Sequence, residues 1–315
     1  MKEKILFILL QNYLDINIWW DYYLDENKKV LPNIFLKELR NIGDVYLWDN
    51  TFSNLNFYYD NLENKYIDKL YDNLNIRNDN INFNLDDINI NKIAIDIYNN
   101  VKQKYNEHKF VVIGHGLSGL IAKYFSELYY KDCLLCVCMN STHYNYDFIN
   151  ELNKNIFNDV KHFNNDTEFK KLLNNVKKNE INKKNEINKN NDIHKIFELI
   201  EYKLINDIYN NYNKQFKTFT LFIRGYFSKP IDNYESIYNK ETENEINFLK
   251  KYNENKFDYL LCDNSYYYIW QDDLYFNEII KKIKSYIELN YSSKIKRTKK
   301  INKSNKKNKS NKKIL

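Results

Sequence analysis

Glycine and proline, the residues that usually punctuate a fold, are nearly missing: five glycines and two prolines in 315 residues. No apolar run approaches the roughly 18 residues that a membrane-spanning helix needs. Histidines number five, the last of them His194, so everything beyond that point lacks an imidazole. Of the four cysteines, three fall in one apolar run, Cys133, Cys136 and Cys138, which is no disulfide framework. The C-x-x-C-x-C string suggests a metal, but strand alternation puts Cys136 and Cys138 on one face and Cys133 on the other. Zinc takes four ligands and only His143 lies near enough to add one, so the string reads as buried free thiols and no metal is expected.

Three of the five glycines sit together in Phe110-Val-Val-Ile-Gly-His-Gly-Leu-Ser-Gly-Leu-Ile-Ala-Lys-Tyr-Phe125. Phe110 to Ile113 is a short β-branched and aromatic run, and Leu117, Leu120, Ile121 and Tyr124 then recur at helical spacing. The period changes within two residues, which predicts a sharp strand-to-helix turn. Small residues belong there, because the reversal presses backbone against backbone and forces unusual φ/ψ.

The rest of the chain supplies alternating elements. Ile5 to Leu10, followed by the polar pair Gln11-Asn12 without a small-x-small cleavage site, reads as a first buried strand and not as a secretory leader. Trp19-Trp20 reads as a packing cluster. A helix is expected over Ile34 to Asn41 and a strand over Asp44 to Asp49, whereas Thr51 to Asn89 gives no clear pattern. From about Asp86 the residues Ile90, Ile93, Ala94, Ile97 and Val101 mark one face of a helix. Cys133 to Met139, apolar throughout, reads as a strand buried on both faces. Thr218 to Gly225 reads as a strand running into a glycine turn, Asp258 to Cys262 as a weaker last strand, and Leu274 to Leu289 as a final helix. Strands alternating with helices predict an α/β class and a doubly wound, mostly parallel sheet.

The stretch Gly114-His115-Gly116-Leu117-Ser118-Gly119 resembles the nucleophile elbow of the α/β-hydrolase superfamily, in which Gly-x-Ser-x-Gly lifts a serine to the top of the sheet. The resemblance covers roughly residues 4–290 in element order, with its motifs concentrated at 110–125 and, more weakly, at 221–230 and 264–278. It implies a helical cap or lid insertion, over about 144–213, within a hydrolase-like domain spanning 1–292. No hairpin precedes the first strand, so a sheet shorter than the family's eight strands is expected.

Matched position by position, the resemblance places Gly116 where the nucleophile stands and Ser118 two residues late, in the first turn of the helix. The acid's position falls on Ser228, with Asp232 displaced by about a turn. The base's position falls on Tyr266. The superfamily runs its triad in the order Ser, acid, His, and the histidine makes the serine nucleophilic. Three such replacements imply a fold kept after its hydrolytic chemistry was lost. The resemblance then implies a pocket lined by Gln11, Asn12, His115, Gly116, Leu117 and Tyr266, holding a small apolar ligand or serving a protein partner, with no cofactor. The alternative is an active esterase or lipase-like hydrolase using Ser118 as a displaced nucleophile, with His115 or His143 as base.

Two low-complexity segments complete the chain. Residues 174–192 hold a doubled hexapeptide, Lys178-Asn-Glu-Ile-Asn-Lys183 and Lys184-Asn-Glu-Ile-Asn-Lys189; two copies make no solenoid. Residues 293–315 carry ten lysines, Arg297 and no acid, eleven of the 48 basic residues. That leaves 48 − 11 = 37 basic residues against 42 acidic ones, so the body is near −5 although the whole chain is +6. Such a tail is too polar to fold. Its run from Lys294 to Lys313 would touch polyanions by charge alone, which is a third functional reading. The expected location is intracellular, cytoplasmic first, with nuclear import through Lys296-Arg-Thr-Lys-Lys300 as the variant.

Overall fold

A computed structural model describes residues 4–11, 20, 22–24, 30–32, 34–48, 89–141, 203–205, 207, 215–230, 233–263, 269–271 and 274–290. Its centre is a six-stranded, all-parallel sheet. In chain order the sheet strands are β1 (Ile5–Leu10), β4 (Asp44–Leu47), β5 (Lys109–His115), β6 (Cys133–Met139), β7 (Thr220–Tyr226) and β8 (Phe257–Asp263). A small antiparallel pair, β2 (Tyr22–Leu24) and β3 (Val30–Pro32), lies apart from it. The helices are α1 (Phe35–Arg40), α2 (Ile90–Lys104), α3 (Leu117–Leu128), α4 (Asn233–Asn253) and α5, residues 274–290.

Across the sheet the order is β4-β1-β5-β6-β7-β8. The chain therefore steps outward from β1 to β4, then returns over β1 to lay β5 on its other side. That reversal makes the border between β1 and β5 a topological switch point, where connections leave in opposite directions and open a crevice at the carboxyl ends of the strands.

Both faces are covered, which is why β6 is apolar at every position and wholly buried. On one face Phe35, Leu36 and Leu39 of α1 join Phe276, Ile279, Ile280, Ile283 and Ile287 of α5 against Phe7, Leu9, Val111 and Val137. On the other, Ile90, Ile93, Ala94, Ile97 and Val101 of α2 and Leu117, Leu120, Ile121 and Phe125 of α3 meet Leu6, Ile8, Phe110 and Val112. The five α2 residues are those the helical period selects. The helix starts at Ile90 because Asn89, in extended conformation, accepts from the amides of Asn91 and Lys92, a cap worth about 1 kcal/mol. Asp207 adds an acceptor for the Ile90 amide at 3.3 Å.

Two expectations change. The three thiols do not alternate: Cys133, Cys136 and Cys138 all join the α2/α3 side of the core. The cause is a bulge, since Phe110 pairs with Cys133 but Val111 with Leu135, so β6 carries one extra residue there and its parity changes. All four cysteines are free and buried. Gly225 is not in a turn: it pairs with Cys262 inside β7, which continues to Tyr226. The long helix α4 had no counterpart in the sequence reading, and neither did the pair β2 and β3.

The stretch 144–213, expected as a cap, lies mostly outside the described residues, as do the hexapeptide repeats and the tail. Its described part, at 203–205 and 207, is helical, and Leu204 and Ile205 are buried in the core beside α2. The chain's return to the sheet is fastened by Glu127 of α3. Its carboxylate accepts the Lys217 amide at 2.7 Å and the Thr218 amide at 3.2 Å and pairs with buried Lys123. The Lys123 ammonium also lies 3.4 Å from the Phe216 ring centroid.

Candidate functional site

The site is built at the switch point, where β5 ends in the turn at Gly116. The Gly116 backbone takes φ 55° and ψ −132° as the cap residue of α3, a conformation that L side chains adopt only under strain. Two residues earlier, a Cβ on Gly114 would lie 2.7 Å from the Cα of Gly119, so only glycine lets the strand pass this close to the first helical turn. The Gly116 amide donates to the Met139 carbonyl at 2.9 Å, which ties the apex to β6. Gly116 itself is partly exposed, while both flanking residues, His115 and Leu117, are buried.

A parallel sheet ordered β4-β1-β5-β6-β7-β8, helices on both faces and a strained strand-to-helix turn after the third of its strands in chain order decide the architecture. This is the α/β-hydrolase fold. No family model matches the chain, and no curated protein does. Among solved structures it is similar to MenH from S. aureus, at TM-score 0.46 and 10% identity over 92% of this chain and 96% of that one. It is similar to a carboxylesterase from Nitrososphaera gargenis at TM-score 0.47 and 7% identity, over 91% and 92%. An epoxide hydrolase from Bacillus megaterium gives TM-score 0.48 and 11% identity, over 90% and 93%. The assignment of the fold rests on strand order and the elbow, not on these likenesses.

Within the α/β-hydrolase fold, Gly116 stands at the turn between β5 and α3 and brings no side chain there. Ser118 lies in the first turn of α3 with 0% exposure, and its hydroxyl makes no hydrogen bond. Among the described residues no histidine nitrogen is therefore within hydrogen-bond reach of it. His115 is 1% exposed and packs edge-on against Trp270, ring centroids 4.7 Å apart. Asn12, Tyr266, Asp232 and His143 lie outside the described residues.

Ser228, at the position that the resemblance implies for the acid, is in the loop after β7. Its amide donates to the Asp263 carboxylate at 2.8 Å, so an acid from the end of β8 stands beside that position. Asn239 of α4 holds the same loop: its side chain accepts from the Phe227 amide at 3.0 Å and donates to the Phe227 carbonyl at 2.6 Å. Asn140, at φ 44°, accepts the Gly225 amide at 2.9 Å and locks the ends of β6 and β7 together. Nothing in the local sequence announces Asp263 or Asn239, because their partners are 35 and 12 residues away.

Gln11 follows directly after β1. Leu10 pairs with Gly114, so the next residues, Gln11 and His115, are neighbours across the β1/β5 border. Gln11 is 3% exposed, and neither end of its side-chain amide has a hydrogen-bond partner. The Trp20 ring lies tilted against Trp270, ring centroids 4.3 Å apart, and stacks on Phe35 at 6.0 Å, and its indole nitrogen is also buried without a partner. The packing reading of Trp20 agrees with that environment, while the part of Trp270 carried no signal beyond being aromatic.

A second polar group of residues lies between β7 and α4. Arg224 of β7 donates to Glu245 of α4 at 2.8 Å, and its guanidinium carbon lies 4.5 Å from the Tyr238 ring centroid. Burial, and then the neighbouring Glu245 charge, push the Tyr259 hydroxyl well above the usual tyrosine range. An arginine inside the run Thr220–Tyr226 was the one sequence signal for this cluster. No group of His, Cys, Asp and Glu suited to a metal ion occurs among the described residues, and no helix among them is long and apolar enough to cross a membrane.

Proposed function

We propose that this chain is a non-catalytic protein of α/β-hydrolase fold that acts through a ligand pocket at the elbow. The observation that carries the reading is Gly116: the apex has the strained backbone that presents a nucleophile in this fold, and no side chain on it. Omitting the side chain enlarges the pocket floor and leaves the Leu117 amide in place at the start of α3, where an oxygen of a bound ligand would be held.

Two further observations support the reading. The Ser118 hydroxyl is buried and unpartnered, whereas a serine nucleophile must meet both a base and its substrate. Ser228 offers the acid's position a hydroxyl and an amide already bonded to Asp263. An active hydrolase using Ser118 would have to expose that residue by moving the first turn of α3, which is packed against Gly114.

The test is intact-mass detection of labelling by a fluorophosphonate probe on the purified protein and on Ser118→Ala. No adduct on either protein is expected. An adduct that disappears with Ser118 would overturn the reading in favour of a displaced serine nucleophile, and one that persists would overturn it in favour of another serine.

A further inference from the structure

We propose that the pocket recognises a planar amide, read by the side chain of Gln11. The inference rests on the elbow pocket and adds to it the chemical class of the occupant. Gln11 is 3% exposed, and both its Nε2 and its Oε1 are buried without a partner. Whichever way the amide is turned, a donor and an acceptor are left open, so the observation does not depend on which end is nitrogen. Buried polar side chains without partners are rare in folded proteins, and each one asks for an unplaced partner.

The position is equally specific. Gln11 stands beside His115 across the β1/β5 border, at the switch point where open parallel sheets bind ligands. His115 touches Trp270 at 4.7 Å, and Trp270 touches Trp20 at 4.3 Å. The Trp20 Nε1–H is a further buried donor without an acceptor. The open amide of Gln11 is thus linked through His115 and Trp270 to a second open donor in an aromatic surround.

The complement of an open primary amide is a group that offers an acceptor and a donor side by side. A carboxamide or lactam does so and closes a ring of two hydrogen bonds with Gln11, and its carbonyl has a second lone pair for Trp20 Nε1–H. A carboxylate offers no donor and leaves Oε1 open. An ester leaves it open too, and a hydrocarbon satisfies neither end. The indole and phenyl rings of Trp20, Trp270 and Phe35 favour a flat apolar body behind the amide. An aromatic amide is a narrower class than the small apolar ligand that the resemblance implies.

The test titrates the full-length protein with benzamide, benzoate and methyl benzoate, followed by ligand-observed NMR and tryptophan fluorescence. Gln11→Leu and the nearly isosteric Gln11→Glu are titrated alongside, with benzamidine added for the second. Wild type should prefer benzamide over the other two by about tenfold or more, as expected when a buried hydrogen-bonding group is left unpaired. Gln11→Leu should lose that preference. Gln11→Glu should prefer benzamidine to benzamide, because a carboxylate accepts two N–H groups and offers none. If Gln11→Leu does not fold by circular dichroism, the Gln11→Glu switch decides. Equal benzamide binding by wild type and Gln11→Leu would overturn the proposal, as would the absence of a switch in Gln11→Glu. Tightest binding of methyl benzoate would overturn the amide class and leave the pocket standing. Failure of wild type to bind any probe would overturn the amide site, while fluorophosphonate labelling judges the non-catalytic reading separately.

Discussion

Arg224 on β7 donates to Glu245 on α4 across 2.8 Å, and the two side chains are only 6% and 2% exposed. A pair buried this completely has been taken out of water at a cost that its attraction only roughly repays, so its value lies in what happens when one partner is missing. Glu245→Leu should destabilise the protein by about 3–5 kcal/mol because it strands a buried guanidinium. Arg224→Met combined with Glu245→Leu should recover most of that loss. The check is the denaturant midpoint at unchanged slope; a loss under about 1 kcal/mol for the single variant, as for an exposed pair, would refute the buried geometry.

Gly116→Ala should cost on the order of 1–3 kcal/mol, because a Cβ is placed on a backbone at φ 55°. Thermal and chemical denaturation measure it. An unchanged stability would mean that the apex relaxes to an ordinary conformation, and the elbow would no longer be the strained turn described above.

Ser118→Ala should be neutral or stabilise by up to about 1 kcal/mol, since it removes a buried hydroxyl that has no partner. A substantial loss of stability would reveal a hydrogen bond at Ser118 and revive it as a functional residue. This measurement needs no substrate.

Acid stability should depend on Asp258. Burial pushes its pKa up, but the hydrogen bonds from Lys282 and Tyr286 outweigh burial and hold it below the usual carboxylate range. A carboxyl with a depressed folded pKa contributes stability that is present above the unfolded value and lost as pH falls through the folded one. Asp258→Asn should therefore flatten the acid limb of a stability profile between neutral pH and strongly acidic conditions. An unchanged acid limb would remove Asp258 from the account.

At the alkaline end the marker is Tyr98. Burial, then the hydrogen bond to Asp132 and that carboxylate's charge, raise it from 10.0 to about 12. Here the protonated form is the favoured one, so the contribution is complete below the unfolded tyrosine value and is lost as pH rises toward about 12. Absorbance titration should show one fewer late-titrating phenol in Asp132→Asn than in the intact protein. Titration of that phenol at the ordinary value in the intact protein would contradict the contact.

Much of the fold was legible because apolar spacing is a local property. The α2 face was readable from five residues because one side of that helix meets the sheet and the other meets water. β6 was readable from end to end because both its faces are covered. The helix α4 was not readable, because it buries Asn239, Thr242 and Glu245 and so hides its apolar period. The bulge at Cys133 was invisible for a different reason: an extra residue in a strand exists only relative to the strand beside it.

The candidate site divides in the same way. The residues at 114–119 marked the elbow by themselves, since a strand turning at once into a helix needs glycine where backbones touch, as at Gly114, and a glycine at the apex cannot carry a nucleophile. The burial of Ser118, the meeting of Asp263 with Ser228 across 35 residues, and the open amide of Gln11 beside His115 were decided only by tertiary structure. Burial and hydrogen bonding are relations between segments distant in the chain, set by the order in which the strands assemble, and no local pattern encodes them.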